Sequence, residues 1–246
     1  MDDWKLEPAH DIGLHEPERW RSLRRESGLL STGIHIAAWT VVQVYLSLWH
    51  RLKIEHWGRV PAEPPFILCA NHSSHLDTLV LASQLSWRLR DRVFPLAAGD
   101  VFFERPAKSA FAATVLNALP IWRKKCGVQA IRELRQRLLQ EPCAFILFPE
   151  GARSRDGRML PFKNGLGMLV AETDVPVVPC YLHGCFEALR AGAWWPRLHP
   201  VSVSIGPPLR FNDEPNERIG WERIAAAVRA AVVKLAPQQA LNDSLP

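Results

Sequence analysis

The chain has 246 residues, 48% of them apolar and 22% charged, with a formal net charge of +5. This balance argues against a chain that is disordered throughout, and a mean hydropathy of −0.07 argues against one built from many membrane-spanning helices. The five cysteines (Cys69, Cys126, Cys143, Cys180 and Cys185) form no C-x-x-C pair, so neither a disulfide framework nor a zinc knuckle is expected, and a reducing compartment is.

Residues 1–26 are polar and acidic, with neither a basic start nor an apolar core, so they are not read as a signal peptide. Ser27–His50 then runs for 24 residues without a formal charge. A helix of that length would reach about 36 Å. Its polar residues Thr32, His35, Gln43, Ser47 and His50 recur near helical spacing, and Leu30, Ile34, Val41, Val44 and Leu48 take the other side. Arginines and a lysine flank both ends, and five of the ten tryptophans fall within the first 57 residues. The pattern reads as a helix lying in or on one leaflet; packing of the same helix on a globular body is the alternative.

Pro61, Pro64 and Pro65 mark entry into a second region. Apolar runs predict strands at 66–70, 93–97, 119–122, 144–148 and 176–182, and alternation predicts another at 200–205. Helical periodicity predicts helices over 76–89, 107–118, 128–139, 165–173 and 219–235, with Arg132, Glu133 and Arg135 on the wet side of the third. The repeated strand–helix–strand order gives an α/β fold: a mixed, largely parallel central sheet flanked by helices. The division is a helical, membrane-associating segment at 1–60 and an α/β domain at 61–246.

Charge is unevenly placed. Residues 1–60 hold eight basic and eight acidic side chains, whereas 100–165 hold twelve and six. The mid-chain surplus calls for an anionic partner such as a phosphate, a coenzyme or a lipid headgroup. No nucleic-acid-reading motif accompanies it, so no nucleic acid is expected.

Two motifs directly follow buried strands, where α/β proteins place their ligands. The first is Asn71-His72-Ser73-Ser74-His75-Leu76-Asp77. On one regular helix His72 and Asp77 would point about 140° apart. A loop entering a helix could instead fold His72 back onto Asp77, leaving one imidazole nitrogen as a base. Alternatively, Asp77 is only a helix cap. A serine nucleophile is disfavoured, because there is no G-x-S-x-G elbow.

The second motif is Phe148-Pro149-Glu150-Gly151-Ala152-Arg153-Ser154. Gly151 permits a tight turn with exposed backbone N–H groups, and Arg153 offers a fork suited to phosphate. The competing reading is a basic surface turn with Glu150 paired to Arg153. A third cluster, Arg123-Lys124-Lys125, and a proline-edged strand, Val175–Pro179, complete the series. His72, His75 and Asp77 have no convincing metal-ligand spacing, so no metal is expected.

In this order the four segments resemble the blocks of the glycerolipid acyltransferase superfamily, the 1-acylglycerol-3-phosphate acyltransferase-like enzymes, from about Pro65 to Pro208. The resemblance implies a fatty acyl transfer from acyl-CoA or an acyl carrier protein to a lysophospholipid hydroxyl, most simply that of 1-acyl-glycerol-3-phosphate. It makes His72 the general base and Asp77 its orienting partner. It also implies substrate contacts from Asn71, Ser74, Arg123, Glu150, Gly151, Arg153, Ser154 and Lys163. No bound cofactor is implied; the acyl thioester is a co-substrate. Membrane docking through the N-terminal helices would place the protein on the cytoplasmic side as a peripheral or monotopic form. Related blocks also occur in enzymes that acylate lyso-ornithine lipid. A lipid hydrolase and a non-catalytic lipid-binding protein are the readings from other classes. Trp194 and Trp195 would either touch lipid or lie in the core.

Overall fold

A computed structural model of the chain describes residues 13–15, 18, 32–90, 92–98, 117–121, 128–190, 193 and 195–237. Its centre is a seven-stranded sheet in the order β1-β7-β6-β2-β5-β3-β4. The strands are β1 (Lys53–Glu55), β2 (Phe66–Ala70), β3 (Val93–Ala98), β4 (Leu119–Ile121), β5 (Ala144–Leu147), β6 (Val177–His183) and β7 (Ser202–Ile205). All neighbouring pairs are parallel except β6 and β7. The sheet is therefore mixed and largely parallel, as the strand–helix alternation predicts. It starts earlier than expected, at β1, within the segment read as helical.

The helices among the described residues are α1 (Thr32–Trp49), α2 (Leu76–Ser83), α3 (Trp87–Arg90), α4 (Val128–Gln140), α5 (Gly165–Val170), α6 (Cys185–Ala188) and α7 (Arg218–Val233). A single helix was expected over 76–89. It breaks because the Ser83 hydroxyl donates back to Val80 O, and Ser86 Oγ accepts the Leu89 N–H to start α3. The helix expected at 165–173 stops at Val170. There Arg135, read as solvated, instead reaches the last carbonyls of Met168, Leu169 and Ala171 and satisfies them. Nearly all of the helix predicted at 107–118 lies outside the described residues.

The core explains why the central strands read as unbroken apolar runs. Along β2, Phe66, Leu68 and Ala70 face one hydrophobic cluster, while Ile67 and Cys69 face the other. Both faces are covered, so no position needs to be polar. The first cluster is closed by α1, α2 and α3, the second by α4, α5 and α7. β2 lies between β5 and β6, with Cys69 opposite both Leu147 and Pro179. This register brings the carboxyl ends of β2 and β5 together, and with them the two motifs.

α1 packs on the globular body, the alternative reading of its segment, and leaves an apolar row outside. One face packs on the domain: Trp39 and Leu46 are buried, Gln43 donates to Ser83 O at the end of α2, and Tyr45 contacts the buried His50 just after the helix. The opposite face leaves Ile36, Val41, Val44, Leu48 and Trp49 exposed. Gln43 and His50 thus join Trp39 and Leu46 on the packed side, while Thr40 and Ser47 stay exposed beside the aliphatic outer row. Among the described residues no helix is long and apolar enough to cross a membrane.

Candidate active site

The loop Asn71–His75 leaves β2 and turns into α2, whose first turn carries Asp77. Asp77 is fully buried. Its Oδ2 accepts from Ser73 N at 2.7 Å, Ser74 N at 2.8 Å and His72 Nδ1 at 2.8 Å. One carboxylate oxygen thus closes the loop and folds His72 back, which a continuous helix could not do. Because Oδ2 only accepts, Nδ1 is the donor of this bond, and in the neutral ring the lone pair lies on Nε2. The ring stacks on Phe148, with centroids 4.2 Å apart, and the side chain keeps 20% of its exposure. The imidazole is therefore fixed in plane and open on one edge, as a proton acceptor must be.

The second motif wraps the same ring. Glu150, 2% exposed, accepts His72 N through Oε1 and Leu160 N through Oε2, both at 2.8 Å. Ser154 N donates back to His72 O at 2.9 Å. Burial raises the Glu150 carboxyl to about 7, against the lowering effect of the two backbone N–H groups. Gly151 adopts φ +70°, and a Cβ there would lie 2.7 Å from Lys163 Nζ, so the lysine ammonium rests directly over the turn. Arg153 is half-buried beside it.

Four residues expected as substrate contacts make hydrogen bonds within the protein. The Asn71 amide donates to Leu182 O and accepts Leu182 N, tying β2 to β6. The Ser74 hydroxyl donates to Leu189 O and accepts Leu76 N. Glu150 is spent on the two N–H groups, and the Ser154 hydroxyl donates to Asp156. All four are buried. Gly151, Arg153 and Lys163 form the polar turn near His72, whereas Arg123 lies outside the described residues. Phe148 opens the second motif and stacks directly on the His72 ring, a contact its place in the motif does not announce. Among the described residues no three His, Cys, Asp or Glu side chains are grouped to hold a metal ion.

A profile of the Acyltransferase family matches residues 51–183, a span holding both motifs and six of the seven strands. The chain belongs to the acyltransferase family. A 1-acyl-sn-glycerol-3-phosphate acyltransferase of Limnanthes douglasii is 37% identical over 181 residues, which cover 73% of this acyltransferase-family chain and 60% of the Limnanthes protein. The alpha form from Mus musculus is 30% identical over 131 residues, covering 52% and 44% respectively. The chain thus spans between 44% and 60% of the length of these curated relatives. The crystal structure of the 1-acyl-sn-glycerophosphate (LPA) acyltransferase PlsC from Thermotoga maritima superposes with a TM-score of 0.61 at 21% identity, over 84% of each chain. That likeness is one of fold.

Proposed function

We propose that the chain transfers a fatty acyl group from an acyl thioester, carried by CoA or an acyl carrier protein, to the free hydroxyl of 1-acyl-sn-glycerol-3-phosphate. The observation that carries this reading is the oriented His72–Asp77 pair, 2.8 Å apart, beside a cationic glycine turn. His72 Nε2 takes the acceptor's hydroxyl proton as its oxygen attacks the thioester carbonyl. Asp77 stabilises the imidazolium that forms. Collapse of the tetrahedral intermediate breaks the C–S bond, and the departing sulfur takes the proton back from His72. The substrate supplies the nucleophile, so no acyl-enzyme is required. Arg153, Lys163 and the Gly151 turn receive the acceptor's phosphate. The relatives' printed names support this acceptor.

The acceptor is tested with a panel of lysolipids assayed against a labelled thioester. Lysophosphatidic acid is expected to be preferred. Arg153→Ala is expected to raise its KM about tenfold or more with a smaller change in kcat, because a ground-state contact is lost. A preference for lyso-ornithine lipid, with KM for lysophosphatidic acid unmoved by the substitution, would reassign the acceptor.

The same proposal places the protein on a membrane surface through α1. Its outward aliphatic row is the kind of exposed patch that marks a contact, and the 84% exposed Trp195 adds an indole outside the core. Val41→Asp, Val44→Asp and Leu48→Asp together are expected to abolish co-flotation with anionic liposomes while leaving the thermal melt unchanged. Undiminished flotation would place the contact elsewhere.

A further inference from the structure

Two stretches that the proposed mechanism does not use border the dyad. One is the loop that follows the second motif, residues 154–158. The other is α6 with the segment after it, residues 185–199. Between them they hold four arginines (Arg155, Arg158, Arg190 and Arg197) and two carboxylates, Asp156 and Glu187. All four arginines are exposed.

Direct hydrogen bonds fix both stretches to the loop that carries the base. Ser154 N donates to His72 O at 2.9 Å, and Arg155 is the next residue. On the other side, the Ser74 hydroxyl donates to Leu189 O at 2.8 Å, and Arg190 is the next residue. The Arg197 N–H donates to Ala188 O at 2.7 Å, which draws the far end of the segment back to α6. Phe186 joins the two stretches. Its ring would lie 3.0 Å from a Cβ on Gly157, where φ is +83°, so glycine lets the loop and the ring meet. The Arg190 guanidinium lies over the same ring, 5.3 Å from its centroid. Arg158 follows Gly157, so the arginines of both stretches gather around one ring.

Among the described residues none of these four arginines makes an ion pair, whereas Arg92, Arg137, Arg218 and Arg223 each meet a glutamate at 2.8–3.7 Å. Asp156 is engaged within its own loop, its Oδ1 accepting the Ser154 hydroxyl and Arg158 N. Guanidinium forks gathered without carboxylates suit phosphate, which they grip bidentately. The acceptor offers one phosphate, already assigned to Arg153 and Lys163. The nucleotide end of CoA offers several, a diphosphate and a ribose phosphate, set apart from the thioester by the pantetheine arm.

We propose that Arg155, Arg158, Arg190 and Arg197 form a phosphate-binding rim for the acyl donor. They take the nucleotide phosphates of CoA while the pantetheine arm lays the thioester beside His72. The inference rests on the thioester-dependent transfer proposed above.

The test measures CoA binding to the full chain by calorimetry. It also measures transfer to lysophosphatidic acid from acyl-CoA and from the same acyl group on pantetheine, which lacks the nucleotide. Arg158→Gln combined with Arg190→Gln is expected to weaken CoA binding and raise KM for acyl-CoA, each about tenfold or more. KM for acyl-pantetheine and for lysophosphatidic acid should stay within about twofold. His72→Ala, run beside it, is expected to bind CoA as the wild type does and to lose transfer. No CoA binding by the wild type, unchanged binding by the double variant, or equal KM shifts for the two donors would overturn the inference. So would a KM shift confined to acyl carrier protein as donor, which would make the rim a protein contact. Lost flotation with anionic liposomes at wild-type donor KM would overturn it too, in favour of a lipid contact. CoA binding that the double variant loses, without transfer to any lysolipid, would support the rim and overturn the proposed reaction instead.

Discussion

Replacing His72 by alanine is expected to lower kcat for acyl transfer by about 10³–10⁴-fold. In the proposed mechanism the ring takes the acceptor's proton through Nε2, while Nδ1 lies 2.8 Å from Asp77 Oδ2. It is also partly exposed and stacked on Phe148, so its removal vacates an edge of the site rather than the core. The melting temperature should move little. Asp77→Asn is expected to cost a similar factor for a different reason. The amide cannot supply the charge that stabilises the imidazolium, and its NH₂ group competes for the place where three donors converge. This variant should also lose about 2 kcal/mol of stability, because two buried backbone N–H groups lose part of their acceptor. Steady-state kinetics and thermal melts on both variants check the pair; wild-type kcat in either would dismiss the base mechanism.

The second large effect is expected at Glu150, which is buried and joins the two motifs through the His72 and Leu160 N–H groups. Glu150→Gln retains one acceptor oxygen and turns a donor toward the other backbone N–H. Either His72 or Leu160 then loses its partner, and the backbone that carries the base shifts. A displacement of about 1 Å at a catalytic group costs on the order of 10²-fold, so kcat should fall by that factor with KM changing less. A headgroup ligand would show the opposite split. Glu150 also gives a signed pH effect. Its carboxyl is raised from 4.5 to about 7, so the folded state holds the proton more tightly than the unfolded state. Stability contributed by this group is therefore full below about pH 4.5 and is lost as pH rises to about 7, a change on the order of 3 kcal/mol. Urea denaturation from pH 5 to pH 8 should show this decline in the wild type and its absence in Glu150→Gln. The ionised form is the one that accepts both N–H groups, so the assembled site is reached at the expense of global stability.

Much of the site was readable because it is local. His72 and Asp77 are five residues apart, and a loop entering a helix is the one local geometry that joins them. β2 and β5 were readable because strands buried on both faces carry no polar position to interrupt them. The placements that stayed hidden have a common cause. Glu150, Asn71, Ser74 and Ser154 have the chemistry of ligand contacts, but composition does not reveal whether a polar atom faces a cleft or a neighbouring backbone. Arg135 falls on the polar side of α4, yet α5 ends within its reach. β1 and α6 are three and four residues long, too short for periodicity to register. The approach of α6 to the loop that leaves β2 is set by the order of strands in the sheet, since β6 runs beside β2 and leads into α6.

α1 has a consequence for the kinetic order of the reaction. Through Gln43 it is fastened to Ser83, at one end of a helix whose other end carries Asp77, about 9 Å away along the axis. Under the membrane contact proposed for α1, His72 would work at a fixed height above the lipid surface, and the acceptor's chain would not need to leave the bilayer. Encounter then takes place in two dimensions. The rate follows the acceptor's mole fraction among its neighbouring lipids rather than its amount per volume, and inert lipid acts as a diluent even when nothing has been added to or taken from the bulk solution.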